Sequence, residues 1–348
     1  MGLFRRIRRA RLASQVIRRL RHAGAADARY DARAFAVRFS RGGEATKVLP
    51  LDTLLAERAR RRRERRHQVD RFVAGFLDTP LPPQRWADVC PLLRPVLRGS
   101  VPVGDISAPL RRPALPYLSE FVVIDQPDTM TYVAAEQLAG WGVPEAEVFT
   151  AARQNLTGAV LHGVATESVV VQFLDDGDSY WTSHLLLNGW LARLAPQVGG
   201  VPVAFAPERG TLIVVADGST HLPGLFAQAE LAYLTSPRAI TPMAYVSDEH
   251  GHTVPYAATP GHPLYDCVRR AEAVLAMQEY ARQAETLADA APLTLAGDDL
   301  RTRTVWTPGV LLPRADDVVI GDDVRPWAEV APDLERVAGL EPPRFRRI

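Results

Sequence analysis

Apolar positions along this chain recur with two periods, and the switch between them marks the elements. Phe35, Val37 and Phe39 alternate with small or charged residues, and Gly42-Gly43 turns the chain into Ala45–Leu49, a pattern that predicts a hairpin. Phe121–Asp125 predicts a strand and Met130–Ala134 its return. Val201–Ala206 with Thr211–Ala216, and Ile240–Val246 with His252–Tyr256, predict two more hairpins. The turn Pro207-Glu208-Arg209-Gly210 sets Pro where φ is near −65° and Gly where a left-handed residue is expected.

Spacings of three and four predict the helices. Val143-Pro144-Glu145 opens one, with Pro in the first turn and acids at its positive end. On it, Val148, Ala152 and Asn155 share a face, so Asn155 points inward and needs a partner. Leu222, Leu225, Phe226, Ala229 and Tyr233 mark a second helix, capped by Ser219 or Thr220. A long Ala-rich helix covers about 264–290. The stretch 169–194 organises the middle of the chain. Val169–Val171 and Phe173 predict a buried strand, and DDGDS (175–179) turns it. Leu187, Trp190, Leu191 and Leu194 then predict an amphipathic helix with Trp190 buried.

Together these elements predict an α+β fold, a mostly antiparallel sheet of hairpins interleaved with amphipathic helices, with an Arg-rich helical N-terminal part. The segments are a basic N-terminal part (1–78), an α+β core (79–258), and a C-terminal helix with a Pro- and Asp-rich extension (259–348). The tail from 292 reads as an appended arm without a core of its own.

Composition changes this picture little. Apolar residues make up 47% of the chain and charged residues 23%, values of a globular protein. Two cysteines, Cys90 and Cys267, cannot form a disulfide framework and are expected as small buried hydrophobes in a cytoplasmic protein. No apolar run is long enough to cross a bilayer.

Charge matters more. Residues 1–75 hold 21 Arg or Lys against 7 Asp or Glu, a balance of +14. The remainder holds 20 against 33, a balance of −13, and the two sum to +1. On residues 1–22, Leu3, Ile7, Ala10, Ala13, Ile17 and Leu20 fall on one side of a helical wheel, away from most of eight arginines. The run RARRRRERR (58–66) lies in a helix expected from Leu51. Its Arg61, Arg62 and Arg65 are candidates for contact with an acidic protein or nucleic acid, and the chain's own acidic part is the internal alternative.

No phosphate loop, dinucleotide fingerprint or nucleophile elbow is present, so no cofactor is expected. His250-Gly251-His252 lacks a third ligand, and Asp175, Asp176 and Asp178 lack calcium-loop spacing, so no metal site is expected. Ser179 and Ser183 have no evident base and read as helix caps.

The strings PVLRGS (95–100), VVID, TAARQNL (150–156), DDG (175–177), TSHLLLNGWL (182–191), APERGTLIVVAD (206–217) and ITPMAYV (240–246) occur in an order that resembles a bacterial family of cytosolic proteins catalogued as domain of unknown function 1444. The resemblance spans roughly residues 1–258 and implies a shared fold without an assigned activity. His184 stands where that family tends to carry Arg, and Gly210 where it often has Asp. The turn from DDG to the helix is also longer.

Three function classes follow. The first is a non-catalytic binding or regulatory protein whose Arg-rich N-terminal part faces an acidic partner. The second is an enzyme acting on an anionic small molecule in a cleft that gathers Arg98, Asn155, Asp176 and Arg209. The third is a nucleic-acid-binding protein. The pattern does not specify an oligomeric state.

Overall fold

The computed structural model describes residues 2–347 except 26, 33–34, 41–46, 52–53, 55–67, 75–76, 78–82, 101–108, 127–128, 157–160, 162, 168, 175–179 and 298–299. The acidic turn 175–179 and the run 58–66, with Arg61, Arg62 and Arg65, lie outside the described residues. The chain divides into two compact units. One comprises Met1–Arg94, Pro102–Leu110 and Val122–Asn155, the other Pro95–Val101, Arg111–Phe121 and Leu156–Ile348. Residues 79–258 contribute segments to both units by this division.

In the first unit, helix α1 (Gly2–His22) packs on the antiparallel strands β1 (Arg29–Asp31), β2 (Ala36–Phe39) and β3 (Lys47–Pro50). The buried stripe of α1 is Leu12, Ala13, Val16 and Leu20. It is rotated from the expected one: Ala10 is exposed and Ile17 only half-buried, because Leu12 and Val16 offer more apolar surface than Ala10. Val37 and Leu49, paired across β2 and β3, meet this stripe together with Phe35, Leu54, Val69 and Val73.

Strands β4 (Leu93–Gly99), β5 (Arg111–Leu115), β6 (Leu118–Gln126) and β7 (Thr129–Tyr132) form a sheet of order β4-β6-β5, with β7 antiparallel to β6. Helix α2 (Glu145–Asn155) opens with Glu145 and Glu147 at its positive end. It buries Val148, Phe149 and Ala152 against Val89, Leu93, Val122 and Ile124.

The second unit is built on a five-stranded antiparallel sheet of order β12-β11-β9-β10-β8, with β8 (Val171–Leu174), β9 (Pro202–Glu208), β10 (Thr211–Ala216), β11 (Ala244–Ser247) and β12 (Thr253–Pro255). Strands β9 and β10 are buried almost end to end, so both of their faces are covered. Helix α3 (Leu222–Thr235) packs on β9, and α4 (Tyr265–Ala284) packs on α3, where Arg270 grips Glu230 at 2.6 and 2.7 Å. His221, not Ser219 or Thr220, stands at the N-cap of α3.

The amphipathic helix expected over 187–194 does not form. The chain instead makes 3-10 turns at Trp181–Leu186 and Ala192–Leu194 and one α-helical turn at Ala195–Val198. Gly189 interrupts it with φ of +71°, and its amide donates to the Gly251 carbonyl at 2.8 Å. Spacings of three satisfy a 3-10 turn as well as an α-helix, so Trp190, Leu191 and Leu194 are buried all the same.

The tail is not a bare arm. Strands β13 (Thr294–Ala296), β14 (Arg301–Trp306), β16 (Asp317–Ile320) and β17 (Asp323–Pro326) form one sheet in that order, with β14 and β16 parallel. Strands β15 (Leu312–Pro313), β18 (Leu334–Arg336) and β19 (Arg344–Arg347) form another, of order β15-β19-β18. Ala291, Leu312, Val318 and Val330 make a small core between short apolar pieces that look isolated in sequence.

Candidate functional site

The most informative polar group in the second unit lies where β4 ends against β6. Side chains alternate across a strand, so Arg98 and Ser100 leave one face while Gly99 leaves the other. The Ser100 amide donates to the Tyr117 carbonyl at 2.9 Å, which carries the strand pairing past Gly99. Ser119 Oγ donates to Ser100 Oγ at 3.4 Å, and the two residues are only 3% and 5% exposed. In the β5–β6 pair, Pro113 lies opposite Ser119 and Arg111 opposite Phe121, which puts Arg111 on the face of Ser119. Its guanidinium donates to the Ser100 carbonyl.

That face therefore gathers Arg98, Ser100, Arg111 and Ser119, and it is unbalanced in charge. Among the described residues, neither arginine has a carboxylate within ion-pair distance. Arg98 Nη1 donates to the adjacent Leu97 carbonyl at 2.7 Å, while its buried Nε has no partner among those residues. Burial lowers the pKa of Arg111, opposed in part by the charge of Glu341. Glu341 is itself held by Arg336 at 2.5 Å.

The opposite face is neutralised pair by pair. Fully buried Glu120 meets Arg112 at 2.7 Å. Fully buried Glu279 meets Arg282, with both of its carboxylate oxygens against Gly99. A face with two guanidinium groups, two hydroxyls and, among the described residues, no carboxylate within ion-pair distance suits an oxyanion, which accepts from both kinds of donor.

The four residues named from sequence do not share one arrangement. Arg98 belongs to the face just described. Asn155 lies in the first unit, where its Nδ2 donates to the carbonyls of Cys90 at 2.6 Å and Leu93 at 3.1 Å; it ties the end of α2 to the start of β4. Arg209 sits in the β9–β10 turn, its amide donating to the Arg238 carbonyl at 3.0 Å. Gly210 beside it is not left-handed. A Cβ there would stand 3.1 Å from Glu208 Oε1, which accepts from the Gly210 amide, so a larger residue would press on that side chain. Asp176 lies outside the described residues.

The buried string Thr182-Ser183-His184 is a further polar feature, and His184 was not marked as a candidate from sequence. Tyr180 enters it with φ of +49°, uncommon for an aromatic residue. His184 Nδ1 lies 3.2 Å from the Tyr180 carbonyl and donates to it in the neutral ring, which leaves Nε2 as the acceptor. The ring is held between Trp181 at 5.1 Å and Trp190 at 4.8 Å. Ser183 does not cap a helix: its Oγ is buried and, like Trp190 Nε1, has no partner among the described residues. At the β11–β12 tip, His252 Nδ1 lies 3.3 Å from Asp248, and no group of three metal-binding side chains occurs among the described residues. Cys90 and Cys267, expected as small buried hydrophobes, are free and half-buried.

On α1, burial of the apolar stripe leaves Arg11, Arg18 and His22 exposed, spaced seven and four apart on one face. Its other described arginines are engaged within the first unit. Arg19 meets Asp70 at 2.6 Å, Arg21 donates to the Ala28 carbonyl, and Arg9 lies 4.5 Å over the Phe35 ring. Among the described residues, no helix is long and apolar enough to cross a membrane. Comparison with protein-family models, curated proteins and solved structures finds no match.

Proposed function

We propose that this chain is a non-catalytic binding or regulatory protein whose arginine-rich N-terminal part meets an acidic partner. One observation carries the reading. Helix α1 buries Leu12, Ala13, Val16 and Leu20 against its own sheet, and Arg11 and Arg18 face outward with no carboxylate assigned to them among the described residues. Its apolar stripe is thus committed inside the fold, and charge is what it offers to a partner. Membership of the uncharacterised family that the sequence resembles, and residence in the cytosol, belong to this proposal. The test is retention on heparin and its salt dependence for Arg11→Gln with Arg18→Gln, and separately for Arg61→Gln, Arg62→Gln and Arg65→Gln. Earlier elution at unchanged melting temperature supports the reading. Unaltered retention in both sets refutes it.

The unbalanced face of Arg98, Ser100, Arg111 and Ser119 favours a second reading, a site for a small oxyanion that serves as ligand or substrate. Inorganic phosphate, at matched ionic strength, should then raise the melting temperature of the native chain and not that of Arg111→Gln. Equal shifts in the two chains would refute this reading.

A further inference from the structure

The tail encloses a cavity of about 160 Å³ that none of the readings above uses. The end of β14 and the end of β16 are in parallel register, so Trp306 and Ile320 stand side by side on one wall. Val330 and Leu334 supply the facing apolar surface. The rim is polar and carries both signs. Arg325 comes from β17 and Arg347 from β19, while Glu329 and Asp333 project four residues apart from the turns that connect β17 to β18.

These charges are not consumed by one another. Arg325 has only a 3.4 Å contact with Asp323, and both side chains are exposed. Arg347 rests its guanidinium 5.1 Å over the Trp306 ring. Glu329 and Asp333 have no ion pair or hydrogen bond among the described residues. The cavity thus pairs an apolar wall with two cations and two carboxylates that remain available at its mouth.

We propose that this cavity binds a small zwitterion with an apolar side chain, an aliphatic α-amino acid. Its carboxylate meets Arg325 and Arg347, its ammonium meets Glu329 and Asp333, and its side chain lies against Trp306 and Leu334. Size and charge both narrow the class. A cavity of roughly 150 Å³ holds a molecule about as large as benzene, and drug-sized ligands take pockets of about 300 Å³ or more, so nucleotides are excluded. A simple anion leaves Glu329 and Asp333 opposed to it, and a metal cation leaves the two arginines opposed. Only a ligand carrying both charges satisfies the whole rim.

The experiment is calorimetric titration of the full chain with L-leucine. N-acetyl-L-leucine, which lacks the cation, L-leucinamide, which lacks the carboxylate, and glycine, which lacks the side chain, are the comparators. Saturable binding of L-leucine below about 10 mM, with each comparator at least about tenfold weaker, is the expected result. Arg325→Gln and Asp333→Asn lie at exposed positions and leave the fold intact, and each weakens L-leucine by about tenfold. No binding of L-leucine at that concentration overturns the proposal. So does equal affinity for either blocked derivative, or undiminished affinity in both variants.

Discussion

Arg344 provides the sharpest test of how the second unit is held together. It is fully buried, and no carboxylate accepts from it among the described residues. Its Nε donates to Gln283 Oε1 at 2.6 Å. Nη1 donates to the carbonyls of Ala291 at 2.8 Å and Leu311 at 2.9 Å, and Nη2 to that of Tyr280 at 3.1 Å. The guanidinium also lies 5.1 Å from the Tyr280 ring. Burial lowers its pKa, as expected of a cation desolvated without a counter-charge. Two of its acceptors belong to the end of α4, whose partial negative charge compensates part of that cost. Arg344→Met keeps the length of the stem and removes every donor. The Leu311 carbonyl retains the Ala291 amide at 3.0 Å, but Gln283 Oε1 and the Ala291 carbonyl lose their described donors. Two stranded groups at about 1–3 kcal/mol each cost about 2–6 kcal/mol, and the relieved desolvation of the cation offsets part of this, so the expected loss is about 1–3 kcal/mol. Arg344→Lys keeps the charge but cannot reproduce the planar fork, so it falls between the two. Urea unfolding followed by tryptophan fluorescence measures both, alongside the melting temperature. A change below about 1 kcal/mol for Arg344→Met would show that the carbonyl cage is not a net source of stability.

Three further outcomes follow from particular contacts. In Gly99→Ala the new Cβ would stand 2.8 and 2.9 Å from the Glu279 carboxylate oxygens, so the variant should lose about 1–3 kcal/mol in urea unfolding; native stability would show that the Glu279–Arg282 pair yields easily. Trp190 is 2% exposed against Phe173 and His184, so Trp190→Ala should cost about 3–5 kcal/mol by the same assay. Trp190→Phe should cost clearly less, because it also removes an indole N–H without a described partner, and equal costs would contradict that. Asp317 receives hydrogen bonds from Arg301 and faces Arg303 at 3.7 Å, and the Arg301 bond holds its pKa below the usual carboxylate range. Its contribution is therefore present above the unfolded value of about 3.9 and fades as pH falls through the lower folded value. Asp317→Asn should flatten the fall in melting temperature between about pH 5 and pH 2, and acid limbs parallel to those of the native chain would refute this.

The elements legible in sequence are those whose signal is local. Alternation at Val37, Phe39 and Leu49 announces one hairpin, and the continuous apolar runs in β9 and β10, buried on both faces, announce another. Asn155 was legible as an inward polar group on an apolar helix face, and its two carbonyl partners lie where such a group must find them. Local signals failed where two structures share a spacing. Leu191 and Leu194 are three apart, which a 3-10 turn buries as well as an α-helix does, and the Gly189–Gly251 hydrogen bond that decides between them joins residues 62 positions apart. The tail is illegible in sequence for a related reason. Its core residues Ala291, Leu312, Val318 and Val330 are scattered singly among polar neighbours, and the parallel β14–β16 pair leaves no turn signal.

The arginines of the second unit show where sequence stops and chemistry begins. With one lysine in the chain, buried and exposed cations carry the same letter, so composition cannot sort them. Their partners can. Arg344 fills its fork with carbonyls and a side-chain amide, while Arg112 and Arg282 face buried carboxylates; each has a structural task that its surroundings complete. Arg98 and Arg111 share a face with the buried hydroxyls of Ser100 and Ser119 but have no acid within ion-pair distance among the described residues. One guanidinium nitrogen of Arg98 is buried without a described partner. An incompletely satisfied, partly desolvated guanidinium costs stability, and that cost is the ground for proposing an oxyanion at this face. The same strand thus separates the two roles within three residues. Gly99 packs against a carboxylate that already has its arginine, and Arg98 and Ser100, on the other side, leave room in the charge balance for a ligand.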